Sequence, residues 1–201
     1  MKRIAVLASG YGSNLEAILE AQSRGEISGK VVLVISDQEN AKALERAHRR
    51  GIRKLYLDPD SYNSREEYDS KLADELNKEE IDLVVLAGFM RLLTPGFVGS
   101  FSLKILNIHP SLLPSFPGTD GIEQAYAYGV KLSGCTVHFV DEGLDTGPVI
   151  LQESVPVIQE ETIATLKQRI QAVEHRLYPI AIELFCRDKL QIRGRRCYIV
   201  D

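Results

Sequence analysis

Cysteine is scarce in this chain, and its pattern excludes two architectures. Cys135, Cys186 and Cys197 are three in number, odd and irregularly spaced, which suits neither a disulfide framework nor the paired ligand spacing of a zinc site. They read as free thiols. Long apolar runs are also missing: the stretch around Leu83 to Ala87 is far shorter than the roughly 20 residues that cross a bilayer, so no membrane partner is expected. A basic excess is absent as well. With a formal net charge of −4 and a pI near 5.7, the chain has no broad positive face for nucleic acid, and any anionic ligand must be held locally. Met1-Lys2-Arg3 runs straight into a strand-like stretch instead of a secretory apolar region, from which a cytoplasmic location is expected. No internal repeat, low-complexity tract or domain linker breaks the sequence.

The 201 residues, 44% hydrophobic and 26% charged, can bury one full core, so a single domain over 1–201 is expected. Short β-rich apolar runs alternate with longer amphipathic segments through the first hundred residues, the pattern of a parallel sheet covered by helices. Strands are expected at Ile4–Ala8, Val31–Ser36, Lys54–Leu57 and Leu83–Ala87, with helices near Ser13–Arg24, Ala41–Arg50 and Arg65–Glu80. Ser64 with Glu67 predicts a capping box at the third helix, each side chain satisfying an orphan N–H. A fifth strand near Lys104–Asn107 leads into an ordered loop with Pro110, Pro114, Pro117 and Gly118, and a short helix follows. Strands at Ser133–Val140 and Val149–Val155 come next. A helix from Thr162 to about Cys186 buries Ile163, Leu166, Ile170, Val173 and Leu177 as one stripe; Pro179 is expected to kink or break it. Leu190–Asp201 reads as a hairpin with Gly194 near its turn.

Ser9-Gly10-Tyr11-Gly12-Ser13-Asn14 lies between the first strand and first helix, where free backbone N–H groups and the helix dipole make an anion site. Ser13 and Asn14 could cap the helix or donate to phosphate oxygens. Two other readings stay open: a dinucleotide fingerprint, incomplete because Leu15 stands at the third glycine position, and a tight turn with no ligand.

Asn107-Ile108-His109-Pro110-Ser111-Leu112-Leu113-Pro114 begins at the carboxyl end of the fifth strand, the edge where ligands bind in open α/β sheets. If Asn107 is still extended, alternation puts its amide and the His109 imidazole on one face. Such a pair suits acyl transfer, the amide stabilising an oxyanion and the imidazole carrying a proton. A loop-capping or core histidine explains His109 more simply on spacing alone. Asp145, in the turn Asp141-Glu142-Gly143-Leu144-Asp145-Thr146-Gly147, could return to the same edge, where a carboxylate would favour the imidazolium. That acidic turn also admits a calcium reading, although it lacks the EF-hand spacing. His109, His138, Asp141 and Asp145 could be posed as metal ligands, but His138 sits in an apolar strand and reads as structural; no metal is expected. No serine or cysteine nucleophile–base motif is evident.

Taken together, Ser9–Asn14, Ala87-Gly88-Phe89-Met90-Arg91, Asn107–Pro114 and His138–Pro148 resemble the formyltetrahydrofolate-dependent formyltransferases, and the Ser-Gly-x-Gly-Ser-Asn loop resembles their glycinamide ribonucleotide branch. The resemblance spans nearly the whole chain. It implies a formyltransferase fold, a Rossmann-like, mostly parallel sheet flanked by helices with an antiparallel C-terminal portion. A phosphate-binding half over 1–100 and a folate-binding and catalytic half over 101–201 are implied with it. It further implies formyl transfer from 10-formyltetrahydrofolate, as co-substrate, to the amine of glycinamide ribonucleotide in purine biosynthesis, by a monomer or homodimer.

By that resemblance, Asn107, His109 and Asp145 are catalytic, without an acyl-enzyme. Gly12, Ser13 and Asn14 hold the substrate phosphate and Glu174 its ribose side; the bare reading of Glu174 is a carboxylate bordering the buried stripe. Arg65, Met90, Arg91, Leu92, Leu93, Asn107, Asp141, Glu142, Gly143, Leu144 and Asp145 bind the folate, Arg65 lying near its glutamate tail or the pocket mouth, unless it is merely a solubilising arginine. A cis bond before Pro114 is implied too. The chain departs from many relatives at Thr119-Asp120-Gly121, where histidines are common. Three alternatives remain: a formyltetrahydrofolate deformylase, a methionyl-tRNA formyltransferase, for both of which 201 residues leave no room for a further domain, and a non-catalytic nucleotide-binding module.

Overall fold

The computed structural model describes residues 1–201. Five strands run parallel: β1 (Arg3–Leu7), β2 (Lys30–Ser36), β3 (Arg53–Tyr56), β4 (Leu83–Leu86) and β5 (Ile105–His109). Two antiparallel strands, β6 (Leu132–Phe139) and β7 (Val149–Pro156), extend the sheet beyond β5, giving the order β3-β2-β1-β4-β5-β6-β7. The α/β reading and the antiparallel C-terminal portion are both present. The order reverses at β1 and β4, so the loops leaving their carboxyl ends open a crevice on one edge.

Helices cover both faces, which is why the central strands read as almost unbroken apolar runs. Ile4 and Val6 of β1 face a core of 31 buried residues shared with α1 (Ser13–Ser23), α2 (Lys42–Arg49) and α6 (Ile163–Cys186). The alternate residues Ala5 and Leu7 face a second core of 16, packed by α3 (Arg65–Lys78) and α4 (Pro95–Ser100). The short α5 (Gly121–Tyr128) adds Ile122 to the first core. No helix is long and apolar enough to cross a membrane.

Three local expectations need correction. Pro179 does not break α6, which continues to Cys186. The hydrogen bond that Pro179 cannot donate is outweighed by burial of Leu177, Tyr178, Ala181 and Ile182 around it, and the Tyr178 hydroxyl lies 2.9 Å from the carbonyl oxygens of both Leu86 and Leu106. The capping box forms on one side only: the Glu67 N–H donates to Ser64 Oγ at 3.1 Å, while the Glu67 carboxylate accepts from the backbone N–H of Asn63, not of Ser64. Strand β5 extends through His109, two residues past its expected end, because antiparallel pairing with β6 holds it extended.

The C-terminal residues form the expected hairpin, β8 (Leu190–Arg193) and β9 (Arg196–Ile199), turned at Gly194 with φ 61°. All three cysteines are free.

Candidate active site

The crevice edge is built first by the glycine loop. Gly12 takes a left-handed conformation, φ 73° and ψ 35°, and a Cβ there would lie 3.0 Å from the backbone of Ala43, so a side chain is excluded twice over. Gly12 caps α1 with no side-chain hydrogen bond; the expected cap from Ser13 or Asn14 does not form. The first-turn N–H groups of α1 are thus left without a side-chain acceptor, as an anion site requires. Asn14 turns elsewhere, its Nδ2 donating to Glu174 Oε2 at 3.0 Å, while its Oδ1 is buried without a partner. Glu174 is itself buried, and burial pushes its carboxyl above the usual range, with the Asn14 bond pulling the other way. Residues 160 positions apart therefore meet as one polar unit beside the loop.

The β4 loop is tied to the glycine loop: the Ser9 N–H donates to the Gly88 carbonyl at 3.0 Å, and the Met90 N–H to Ser9 Oγ at 2.9 Å. Arg65 donates to the Leu92 carbonyl at 2.8 Å, Arg91 stacks 4.6 Å over Tyr68, and Leu93 is buried. Met90 and Leu92 stay 66% and 60% exposed, as does Leu144 at 54% across the crevice. Three large apolar side chains left in water around polar loops mark a surface that a flat ligand would cover.

At the centre, β5 brings Asn107 and His109 to one face, opposite His138 and Thr136 of β6. His109 Nδ1 lies 3.4 Å from Asp145 Oδ2, and its Nε2 lies 2.8 Å from the Phe116 carbonyl oxygen. Both ring nitrogens thus face oxygens that can only accept. Thr136 orders the approach, its hydroxyl donating to the Ser111 carbonyl and accepting from the Leu113 N–H at 2.7 and 3.1 Å. The bond between Leu113 and Pro114 is cis. Gly121 packs with its would-be Cβ 3.1 Å from His109 Nε2.

Asp145 sits in the left-handed region, φ 54°, and its Oδ2 accepts the Gly118 N–H at 2.8 Å. The turn that carries it closes on itself: Asp141 Oδ1 accepts from the Thr146 hydroxyl at 2.6 Å and the Gly143 N–H at 3.1 Å. Asp141 is therefore spent on the turn and does not join His109, His138 and Asp145. Gly147 is pressed so close to β6 that a Cβ would stand 1.8 Å from the Phe139 carbonyl oxygen.

His138 is the residue that sequence reasoning set aside as structural. Its Nδ1 lies 2.8 Å from the Phe139 carbonyl oxygen and so carries the proton, which leaves Nε2 to accept from Asn107 Nδ2 at 3.2 Å. Burial pushes the imidazole below its ordinary value, against the pull of the Phe139 carbonyl and Asp145. A neutral His138 thereby fixes which way the Asn107 amide points and leaves one of its N–H bonds free for the crevice. Its Nε2 is 3.6 Å from Asp145 Oδ1. Alternation along β6 puts His138 two residues from Thr136 on one side of the sheet, but nothing in the strand marks Asn107 as its partner.

A concavity of about 290 Å³ lies beside the glycine loop, lined by Tyr11, Ser13, Glu16 and Arg46 among others. A larger one, about 470 Å³, lies on the outer side of α6 between Arg24 and Leu184, away from Asn107, His109 and Asp145.

Crevice, amide, imidazole and carboxylate are the parts of an acyl-transfer site. Residues 2–182 match the formyl transferase family, and the chain belongs to it. Within that family it falls among the phosphoribosylglycinamide formyltransferases. It is 42% identical over 183 residues to the Bacillus subtilis phosphoribosylglycinamide formyltransferase, covering 91% of this chain and 94% of that protein. A crystal structure of glycinamide ribonucleotide transformylase 1 from Symbiobacterium toebii matches with a TM-score of 0.98 at 52% identity, over 100% of this chain and 95% of that one. The chain also matches the human trifunctional purine biosynthetic protein adenosine-3 at 43% identity, spanning 99% of this chain but only 20% of that protein's length.

Proposed function

We propose that the chain moves the formyl group of 10-formyltetrahydrofolate to the amine of 5-phosphoribosylglycinamide, giving formylglycinamide ribonucleotide and tetrahydrofolate for purine biosynthesis. The observation that carries this reading is the coincidence at one crevice of an uncapped glycine-loop helix start with the Asn107, His109 and Asp145 cluster. The family match supports it independently.

In this reading Gly12, Ser13 and Asn14 present backbone N–H groups to the substrate phosphate, where the α1 dipole favours negative charge. Glu174, held by Asn14, accepts from the ribose hydroxyls. Met90, Leu92 and Leu144 close over the pterin; Arg65, Arg91, Leu93 and the backbone of Asp141 to Gly143 complete its slot. The two parts of the chain work as one domain, since Glu174 serves the phosphate side and Met90 to Leu93 the folate side.

Chemistry follows from the central groups. As the amine nitrogen attacks the formyl carbon, the carbonyl oxygen gains negative charge, and the free Asn107 N–H donates to it. His109, paired with Asp145, exchanges the Phe116 carbonyl for that oxygen. The C–N bond to the folate then breaks; the attacking amine loses a proton and the departing folate nitrogen gains one, with His109 as the relay. No covalent bond to the protein forms.

A spectrophotometric assay of folate turnover with and without the ribonucleotide tests this. Transfer that requires the acceptor is expected. Acceptor-independent release of formate would instead make the chain a deformylase, and absence of turnover a binding module.

A further inference from the structure

The C-terminal hairpin lies beyond residue 182, where the family match ends, yet it reaches the candidate active site. Leu190, Ile192 and Cys197 pack its inner side against the larger core, and β9 lies on β7. So anchored, the hairpin is a stiff arm whose tip is the turn at Gly194. The next residue, Arg195, extends from the tip and donates from its guanidinium to the Thr146 carbonyl at 2.9 Å, across 49 positions of sequence. Its neighbour Arg193 turns back to Gln191 and Tyr198 instead.

Thr146 follows Asp145 directly, and Asp145 carries the left-handed backbone of the turn. A carboxylate on such a backbone keeps its aim only if the residues on either side are fixed. On one side the Asp141 bonds close the turn upon itself. On the other, Gly147 is wedged against Phe139, and Arg195 reaches in from the hairpin to the Thr146 carbonyl, beside the Gly118 N–H that holds the Asp145 carboxylate itself. We propose that Arg195 is a positioning residue for the Asp141–Gly147 turn, holding Asp145 against His109 and the turn's backbone against the folate. This rests on the formyl-transfer reading above.

The test compares Arg195→Ala and Arg195→Lys with the wild type in steady-state kinetics for each substrate and in thermal unfolding. A displaced aspartate should cost turnover, though less than the ~100-fold that a 1 Å misplacement can bring. Arg195→Ala is expected to lower kcat about tenfold and to raise KM for the folate but not for the ribonucleotide. Tm should stay at the wild-type value, because the side chain is exposed. Arg195→Lys, which still offers a donor, should recover much of the loss. Wild-type kinetics in Arg195→Ala would overturn the proposal. So would a loss in which Tm and both KM values move together without rescue by lysine, which would make the arm a stability element only. Failure of the formyl-transfer reading is told apart at once, since the wild type itself would then show no acceptor-dependent transfer.

Discussion

Asn14 and Glu174 are joined side chain to side chain at 3.0 Å, so the start of α1 and the middle of α6 present a single polar surface beside the glycine loop. The carboxyl is buried, and burial raises it above its ordinary value. A raised carboxyl keeps its proton longer in the folded state than the ~4.3 of an unfolded glutamate, so this group makes the protein less stable as pH rises above that value. Glu174→Gln retains an acceptor for Asn14 and cannot ionise. Its Tm should therefore exceed the wild type's at pH 8, the gap closing as pH falls towards ~4.3. The same variant should raise KM for the ribonucleotide about tenfold by removing a charged acceptor. Equal Tm values across that range would show that burial does not raise the Glu174 carboxyl.

Asp145→Asn keeps an oxygen for the Gly118 N–H but loses the charge facing His109. Turnover is expected to fall by about 10² to 10⁴, the range of a lost acid–base partner, with folate affinity changed much less. Stopped-flow or steady-state kinetics with separate folate binding checks this, and near-normal kcat would remove Asp145 from the mechanism.

His138 predicts an acid limb of stability. Because burial lowers its imidazole, the unfolded chain takes up a proton near pH 6.5 that the folded chain resists, and stability falls as pH drops through that value. His138→Gln, which still accepts from Asn107, should unfold with a shallower loss between pH 6.5 and 5 and keep much of its activity. His138→Ala frees the Asn107 amide and should lower kcat about fivefold, one hydrogen bond's orientation being worth roughly 1 kcal/mol. An unchanged kcat in His138→Ala would show that the amide is aimed by other means.

Gly147→Ala places a methyl where the Phe139 carbonyl already is. The turn must move off β6, at a cost of about 1–3 kcal/mol for overpacking, and Asp145 moves with it. Chemical denaturation should show that loss together with loss of turnover. A variant as stable and active as the wild type would mean the turn is softer than its packing implies.

The sheet was legible because strands buried on both faces leave apolar runs that water-facing strands do not. Helix α6 was legible from its stripe, of which Leu166, Ile170 and Leu177 are buried while Val173 is half-buried and Ile163 exposed, yet Pro179 does not break it, since the core around Tyr178 overrides a local preference. Helix α4 went unpredicted although Thr94 and Pro95 carry a start signal, a capping hydroxyl followed by proline at the first helical position. In the site, residue types pointed to Asn107 and His109, but the register that sets Asn107 against His138 is tertiary and leaves no mark in either strand. The same holds for Arg195, whose partner lies 49 residues away.

One measurement bears on the central claim most directly: the fate of a labelled formyl carbon when 10-formyltetrahydrofolate, glycinamide ribonucleotide and the purified chain are mixed. The label should appear in the amide of formylglycinamide ribonucleotide, one equivalent for each tetrahydrofolate formed. Label recovered as formate, with the ribonucleotide untouched, would contradict it.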